Sequence, residues 1–279
     1  MGRTIKLALY FIGYQLAFAF VGMFIYVLFL YVSTGTLEIP EATTPTFITV
    51  TLISGIVSTL IMAAHILGWK YVQLNKETLS VYSYRLLAAS CVFVIGMGMW
   101  TSYLSEWITT PSEEFIRTMK IMMGNPLGVI SVVILAPIVE ELVFRGAIMG
   151  HLLKTGKSPV FAILVSSLVF GIVHGNLEQA PFAFILGLAL GWVYYRTGSL
   201  LPSICMHFVN NGLTTVNYYL SDNPFASMQE EMGLAGATLY AIGGILISLA
   251  CIFYIRKKLV PQPAKWKEES KESVLPQEV

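Results

Sequence analysis

Apolar stretches long enough to cross a lipid bilayer recur along this 279-residue chain, and that recurrence leaves few options for its fold. They fall at roughly 6–33, 46–68, 84–104, 126–150, 159–175, 180–196, 199–220 and 233–255. Each is close to the ~20 residues a helix needs to cross a hydrocarbon core ~30 Å thick. Composition agrees: 56% of residues are hydrophobic and only 12% charged, against about 25% charged in soluble domains. The expected fold is therefore all-α, a polytopic membrane protein of about eight transmembrane helices.

Basic residues concentrate in short cytoplasmic loops, which gives an orientation. Arg3 and Lys6 precede the first span, Lys70, Lys76 and Arg85 flank the second loop, and Lys154 and Lys157 follow the fourth span. Arg196 lies between the sixth and seventh, and Arg256, Lys257, Lys258, Lys265 and Lys267 follow the eighth. The alternate loops carry Glu38 and Glu41, then Glu106, Glu113 and Glu114, then Glu178, then Asp222, Glu230 and Glu231. Only Arg117 and Lys120 break the alternation, so both termini are expected to be cytoplasmic. The first span is too long for a cleavable signal, and neither a myristoylation nor a prenylation signal is read.

Cys91, Cys205 and Cys251 fall inside spans at spacings that suit neither a disulfide framework nor a metal site. A net charge of +1 gives no nucleic-acid footprint. Trp69, Trp100, Trp107 and Trp192 lie near span ends, as interfacial anchors do. The first three spans carry few polar residues at mid-helix, which divides the chain into scaffold helices over 1–125 and a functional core over 126–215. A last transmembrane helix follows over 216–260, and 261–279 is expected to be a mobile cytoplasmic tail. Gly187 and Gly191 form a small-residue pair suited to close helix approach.

The fourth span holds Glu140, Glu141 and Arg145 within an otherwise apolar run. An isolated charge near the bilayer centre costs roughly 2.5 kcal/mol or more, so such residues face a polar interior and mark function. Glu141 and Arg145 are four apart and share a helical face, whereas Glu140 points ~100° away. Pairing of Glu141 with Arg145 leaves Glu140 free, and a poorly solvated carboxylate suits proton exchange near neutral pH. A structural ion-pair cluster is the alternative, although it leaves the second acid unexplained.

Two further constellations accompany it. Phe170 and His174 stand one turn apart near the end of the fifth span, where the ring can orient the imidazole. In the seventh span His207 and Asn211 share a face by the same spacing, offering a metal ligand or proton donor beside a carboxamide. Either can stabilise a developing oxyanion; interhelical hydrogen bonding is the alternative, and convergence with the other polar helices favours function. His65 is expected to be satisfied by a neighbouring helix, and His151 to lie at the cytoplasmic boundary.

The ordered set Glu140-Glu141-x-x-x-Arg145, Phe170-x-x-x-His174 and His207-x-x-x-Asn211 resembles the type II CAAX prenyl endopeptidase family, also called the Abi or CPBP family of intramembrane proteases. The stretch from Gly187 through Gly191-Trp192-Val193-Tyr194-Tyr195-Arg196-Thr197-Gly198-Ser199-Leu200 to Pro202, Ser203 and His207 is similar to the family's link between its last motifs. The resemblance implies an eight-helix bundle that hydrolyses a peptide bond inside the membrane. It implies that Glu140 activates water with help from His174, that His207 and Asn211 polarise the carbonyl and hold the oxyanion, and that Glu141, Arg145 and Phe170 support the site. The family has been described both as metalloproteases and as metal-free glutamate enzymes. Zinc held by Glu140, His174 and His207 is thus one reading and a metal-free glutamate mechanism the other.

The resemblance further implies a bacterial plasma-membrane protein that acts on a peptide or membrane-associated protein. A non-proteolytic scaffold or bacteriocin-immunity factor of the same fold is the alternative, and an ion-binding transporter a third. One geometric problem is set by counting: His174 would lie ~24 Å along its helix from Ser158, but His207 only ~12 Å from Ser199. For the two to meet, one helix must be tilted, shifted or broken.

Overall fold

The computed structural model describes residues 2–36, 44–81 and 83–258. The tail expected over 261–279, like Glu38 and Glu41, lies outside the described residues. The chain folds as α1 (Gly2–Thr34), α2 (Pro45–Gly68), α3 (Tyr84–Ile108), α4 (Glu113–Met123), α5 (Pro126–Lys154), α6 (Pro159–Ile172), α7 (Ala180–Thr197), α8 (Leu200–Leu220) and α9 (Met228–Lys258). Five of these, α1, α2, α3, α5 and α9, are long and apolar enough to cross a membrane. α6 has only 14 residues, while α7 and α8 are longer but more polar. The described chain is thus an all-helical, multi-pass membrane protein.

Local sequence explains where the helices begin. Asn125 accepts from Leu127 N at 2.9 Å ahead of Pro126, and Ser158 accepts from Phe161 N at 3.2 Å ahead of Pro159. Such oxygens satisfy the orphan N–H groups of a first turn, while proline lacks the donor that the turn would leave unused. α7 closes on Gly198, whose φ of 65 is left-handed, and Ser199 opens α8 immediately after. α9 breaks at Gly233 (φ 72, ψ 163), where the apolar run begins.

α4 is a helix where charged loop sequence was expected. Ser112 caps it, Glu113 and Glu114 occupy its first turn and Lys120 its last, as its dipole favours. Arg117 and Lys120, which interrupted the loop-charge alternation, are therefore residues of an amphipathic helix.

α5 is the central element. Val143, Phe144, Ala147, Ile148 and Met149 are fully buried against α1, α2, α6, α7 and α8. α3 and α9 form a second packed pair against α7 and α8. Trp69 (71% exposed) and Trp107 (64%) project outward as anchors do, whereas Trp100 and Trp192 pack on the Phe93–Val94 core, so burial claims those two rings. Gly187 faces Ser167 so closely that a β-carbon there would lie 2.9 Å from Ser167 Cβ, which bears out the close α6–α7 approach expected of the glycine pair.

Candidate active site

α5 does not coil uniformly. Ser131–Leu135 and Leu142–Met149 are wide π turns, and Glu140 and Glu141 end the ordinary helical segment between them. Pro137 has no N–H to give to the preceding turn, and Ala136 N donates to Ser131 O, five residues back. Val132 O therefore loses its helical donor, and Asn211 Nδ2 on α8 supplies one at 2.8 Å. Asn210 Nδ2 donates to Asn211 Oδ1 at 3.1 Å and fixes the amide's orientation. In the second wide segment, Ser166 Oγ of α6 donates to Phe144 O at 2.8 Å.

The acid pair is divided as its spacing predicts. Arg145 Nη1 meets Glu141 Oε1 at 2.7 Å with both side chains at 0% exposure. Arg145 also donates from Nη2 to Gly187 O at 3.3 Å, and its guanidinium lies 4.5 Å from the Phe170 ring centroid. Glu140 keeps 16% exposure and faces His207. A buried charge is tolerable only when paired and hydrogen-bonded, which accounts for the ties around Glu141.

His207 joins the acids from α8. Its Nδ1 lies 3.1 Å from Glu141 Oε1 and its Nε2 3.7 Å from Glu140 Oε2. A carboxylate accepts, so Nδ1 carries the hydrogen and Nε2 is directed to Glu140. His174 differs: Nδ1 donates to Phe170 O at 2.7 Å, which leaves Nε2 with its lone pair.

Phe170 links the set. Its ring packs edge-on against His174 (centroids 5.0 Å, 89°) and His207 (5.7 Å, 86°), and against Phe144 at 5.1 Å. His174 and His207 do meet, both against the Phe170 ring. α6 stops at Ile172, Gly175 turns with φ 71, and His174 sits past the helix end. Asn176 Nδ2 donates to His174 O at 3.0 Å and to Gln179 Oε1 at 2.8 Å, which holds the loop. Glu178 in that loop accepts from Ser112 Oγ at 2.6 Å, and this bond keeps its carboxyl below the usual range.

Glu140, Glu141, Arg145, Phe170, His174, His207 and Asn211 thus gather around one point from α5, α6, α8 and the loop after α6. Among the described residues, no three His, Cys, Asp or Glu side chains group closely enough to hold a metal ion. Glu140, His174 and His207 are neighbours that do not form a three-ligand set in this geometry. Sequence reasoning missed Ser166, Phe144 and the carbonyls of Val132 and Gly187. Pro137 in mid-span was the legible signal for the freed carbonyl. His65 and His151 stand elsewhere: His65 Nδ1 is 2.8 Å from Tyr14 Oη, and His151 Nδ1 is 3.3 Å from Arg3 Nη1.

Comparison with known proteins addresses the same segment. Residues 123–213 match the family model described as type II CAAX prenyl endopeptidase Rce1-like. YdiL of Bacillus subtilis (strain 168), whose name describes a membrane peptidase, is 30% identical over 125 residues, covering 45% of this chain and 51% of that protein. The membrane-embedded CAAX protease MroQ of Staphylococcus aureus (strain USA300) is 29% identical over 143 residues, 50% of this chain and 57% of MroQ. The uncharacterized protein YyaK of Bacillus subtilis (strain 168) is 38% identical over 89 residues, 28% of this chain and 30% of YyaK. The chain thus spans about half the length of the first two relatives it matches. No solved structure matches significantly. The central segment, residues 123–213, is thus similar to the type II CAAX prenyl endopeptidases, the family that its ordered motifs resemble.

Proposed function

We propose that this chain is an intramembrane endopeptidase of a bacterial plasma membrane, with both termini cytoplasmic and residues 126–215 as its catalytic core. The observation that carries the reading is the inequality of the two acids: Glu141 is held by a fully buried arginine, while Glu140 stays partly exposed beside His207.

Glu140, helped by His174 Nε2, takes a proton from water as the water oxygen attacks the scissile carbonyl carbon. The resulting oxyanion is held by a hydrogen on His207 Nε2, while Nδ1–H stays on Glu141 Oε1, and by the second hydrogen of Asn211 Nδ2, whose first is committed to Val132 O. Collapse expels the amine, which takes the proton back from Glu140. Arg145, Glu141 and Phe170 hold the imidazoles in place. The substrate is a peptide or a membrane-associated protein.

Glu140→Gln tests this reading. Comparative peptide analysis of cells carrying wild type or variant should lose specific products while the folded protein stays abundant. If the phenotype and the peptides survive, the protease reading fails. Zinc on Glu140, His174 and His207 is a separate proposal, tested by metal analysis of purified protein beside a His174→Ala control. An active preparation without bound metal removes it. The engagement of Asn211 with a backbone carbonyl favours the second reading, a non-proteolytic scaffold or immunity factor. That reading predicts an intact phenotype in Glu140→Gln.

A further inference from the structure

A second polar place opens at the other end of α5. A cavity of 480 Å³ lies between the start of α1, the loop after α2 and the ends of α5 and α7. Arg3, Lys70, His151 and Lys154 line it against one acid, Glu77. Its size falls within the roughly 300–1,000 Å³ of small-ligand sites. Gly146, Gly150 and Gly198 complete its wall.

The walls are fixed in advance. Asn75 Oδ1 accepts from Thr78 N at 2.8 Å, and Thr78 O accepts from Leu200 N at 2.8 Å, which pins the loop to the start of α8. Arg3 lies over the Tyr71 ring at 4.6 Å and donates to His151 Nδ1, yet its Nε is buried without a hydrogen-bond partner. That atom is sealed from the cavity, so Arg3 faces an occupant through the rest of its side chain. Trp69 (71% exposed) and Tyr84 (82%) project nearby, as aromatic residues do at a headgroup level.

We infer that this cavity binds a phosphate-bearing anion, and that the headgroup of an anionic phospholipid supplies it. Phosphate provides acceptors for the Arg3 guanidinium and the exposed Lys70 ammonium, and basic pockets between helices at a cytoplasmic face suit such headgroups. The site is distinct from the Glu140 centre, and its occupancy is read without peptide cleavage.

The test compares the full chain in nanodiscs of phosphatidylglycerol and of phosphatidylcholine, with inorganic phosphate as a third arm, reading lipid retained through purification and the thermal midpoint. Wild type should retain phosphatidylglycerol preferentially. Arg3→Gln/Lys70→Gln should weaken retention roughly thirtyfold, and Lys70→Gln alone, at an exposed position, about fivefold. Lys120→Gln on α4 should change nothing. Stabilisation by inorganic phosphate that is lost in the Lys70→Gln variant would support the site with a soluble source. Equal retention by wild type and both variants, or no preference for phosphatidylglycerol together with no phosphate response, overturns the proposal.

Discussion

The α3–α9 seam and the α5–α8 core are both tight, yet they handle polar groups in opposite ways. In the seam, Gly96 and Gly244 meet backbone to backbone, and Ser90 and Ser248 donate within their own helices, to Leu86 O and Gly244 O. In the core, Asn211, Ser166 and Arg145 reach the carbonyls of Val132, Phe144 and Gly187 on neighbouring helices. A seam needs only close approach, whereas a site must fix side chains by direction. Wide turns release the backbone acceptors that make such cross-helix fixing possible.

The sharpest break in this contrast should come from chemistry. Glu140→Gln is expected to lower peptide hydrolysis about 10²–10⁴-fold at unchanged thermal midpoint, measured with a purified substrate peptide. Next, Arg145→Met should cost about 3–5 kcal/mol, because it strands the fully buried Glu141. Glu141→Gln/Arg145→Met should recover part of that loss, read by thermal unfolding in detergent. Recovery would identify uncompensated charge as the cause.

The seam offers the converse. Gly244→Ala places a β-carbon 2.6 Å from Gly96 O and from Met99 Cβ, and should cost about 1–3 kcal/mol while the remaining folded protein keeps its kcat. A drop in kcat at full folding would deny that the two regions are separable. Asn211→Ala, which orphans Val132 O, should destabilise by about 0.6–2 kcal/mol, and Ser90→Ala in the seam by much less.

Much of this layout is written in the sequence, and the gaps have physical causes. Apolar length announces the helices, and Ser158-Pro159 and Asn125-Pro126 announce their starts. α4 escaped because its two acids followed by two bases read as solvated loop until its apolar residues are aligned on one face. Spacing puts Glu141 under Arg145 because both belong to one helix. It could not put His207 against Glu141, since the relative rotation of two helices is set by packing rather than by either sequence alone. The shortness of α6 was equally hidden, because its apolar run continues through Val173 while the chain turns at Gly175.

The smallest expected effect lies in a loop. Hydrogen bonds from Ser112 lower the carboxyl of Glu178, so the latch between the α3–α4 and α6–α7 loops contributes above the unfolded carboxylate range and fades as pH falls through the folded value. Glu178→Gln should remove that acid-side sensitivity, seen as a flatter profile of loop hydrogen exchange against pH.

The first wide turn of α5 is, in evolutionary terms, an accommodated insertion. A π bulge holds one residue more than a regular turn and absorbs that residue locally, so deleting one residue within Ser131–Leu135 should restore an ordinary helix while the segments on either side keep the faces they present. Alignments that thread α5 as a uniform helix will therefore misassign the residues facing α8 on one side of the acid pair. Designs that graft Glu140 and Glu141 onto a regular helix will inherit the carboxylates without the Val132 carbonyl that Asn211 grips.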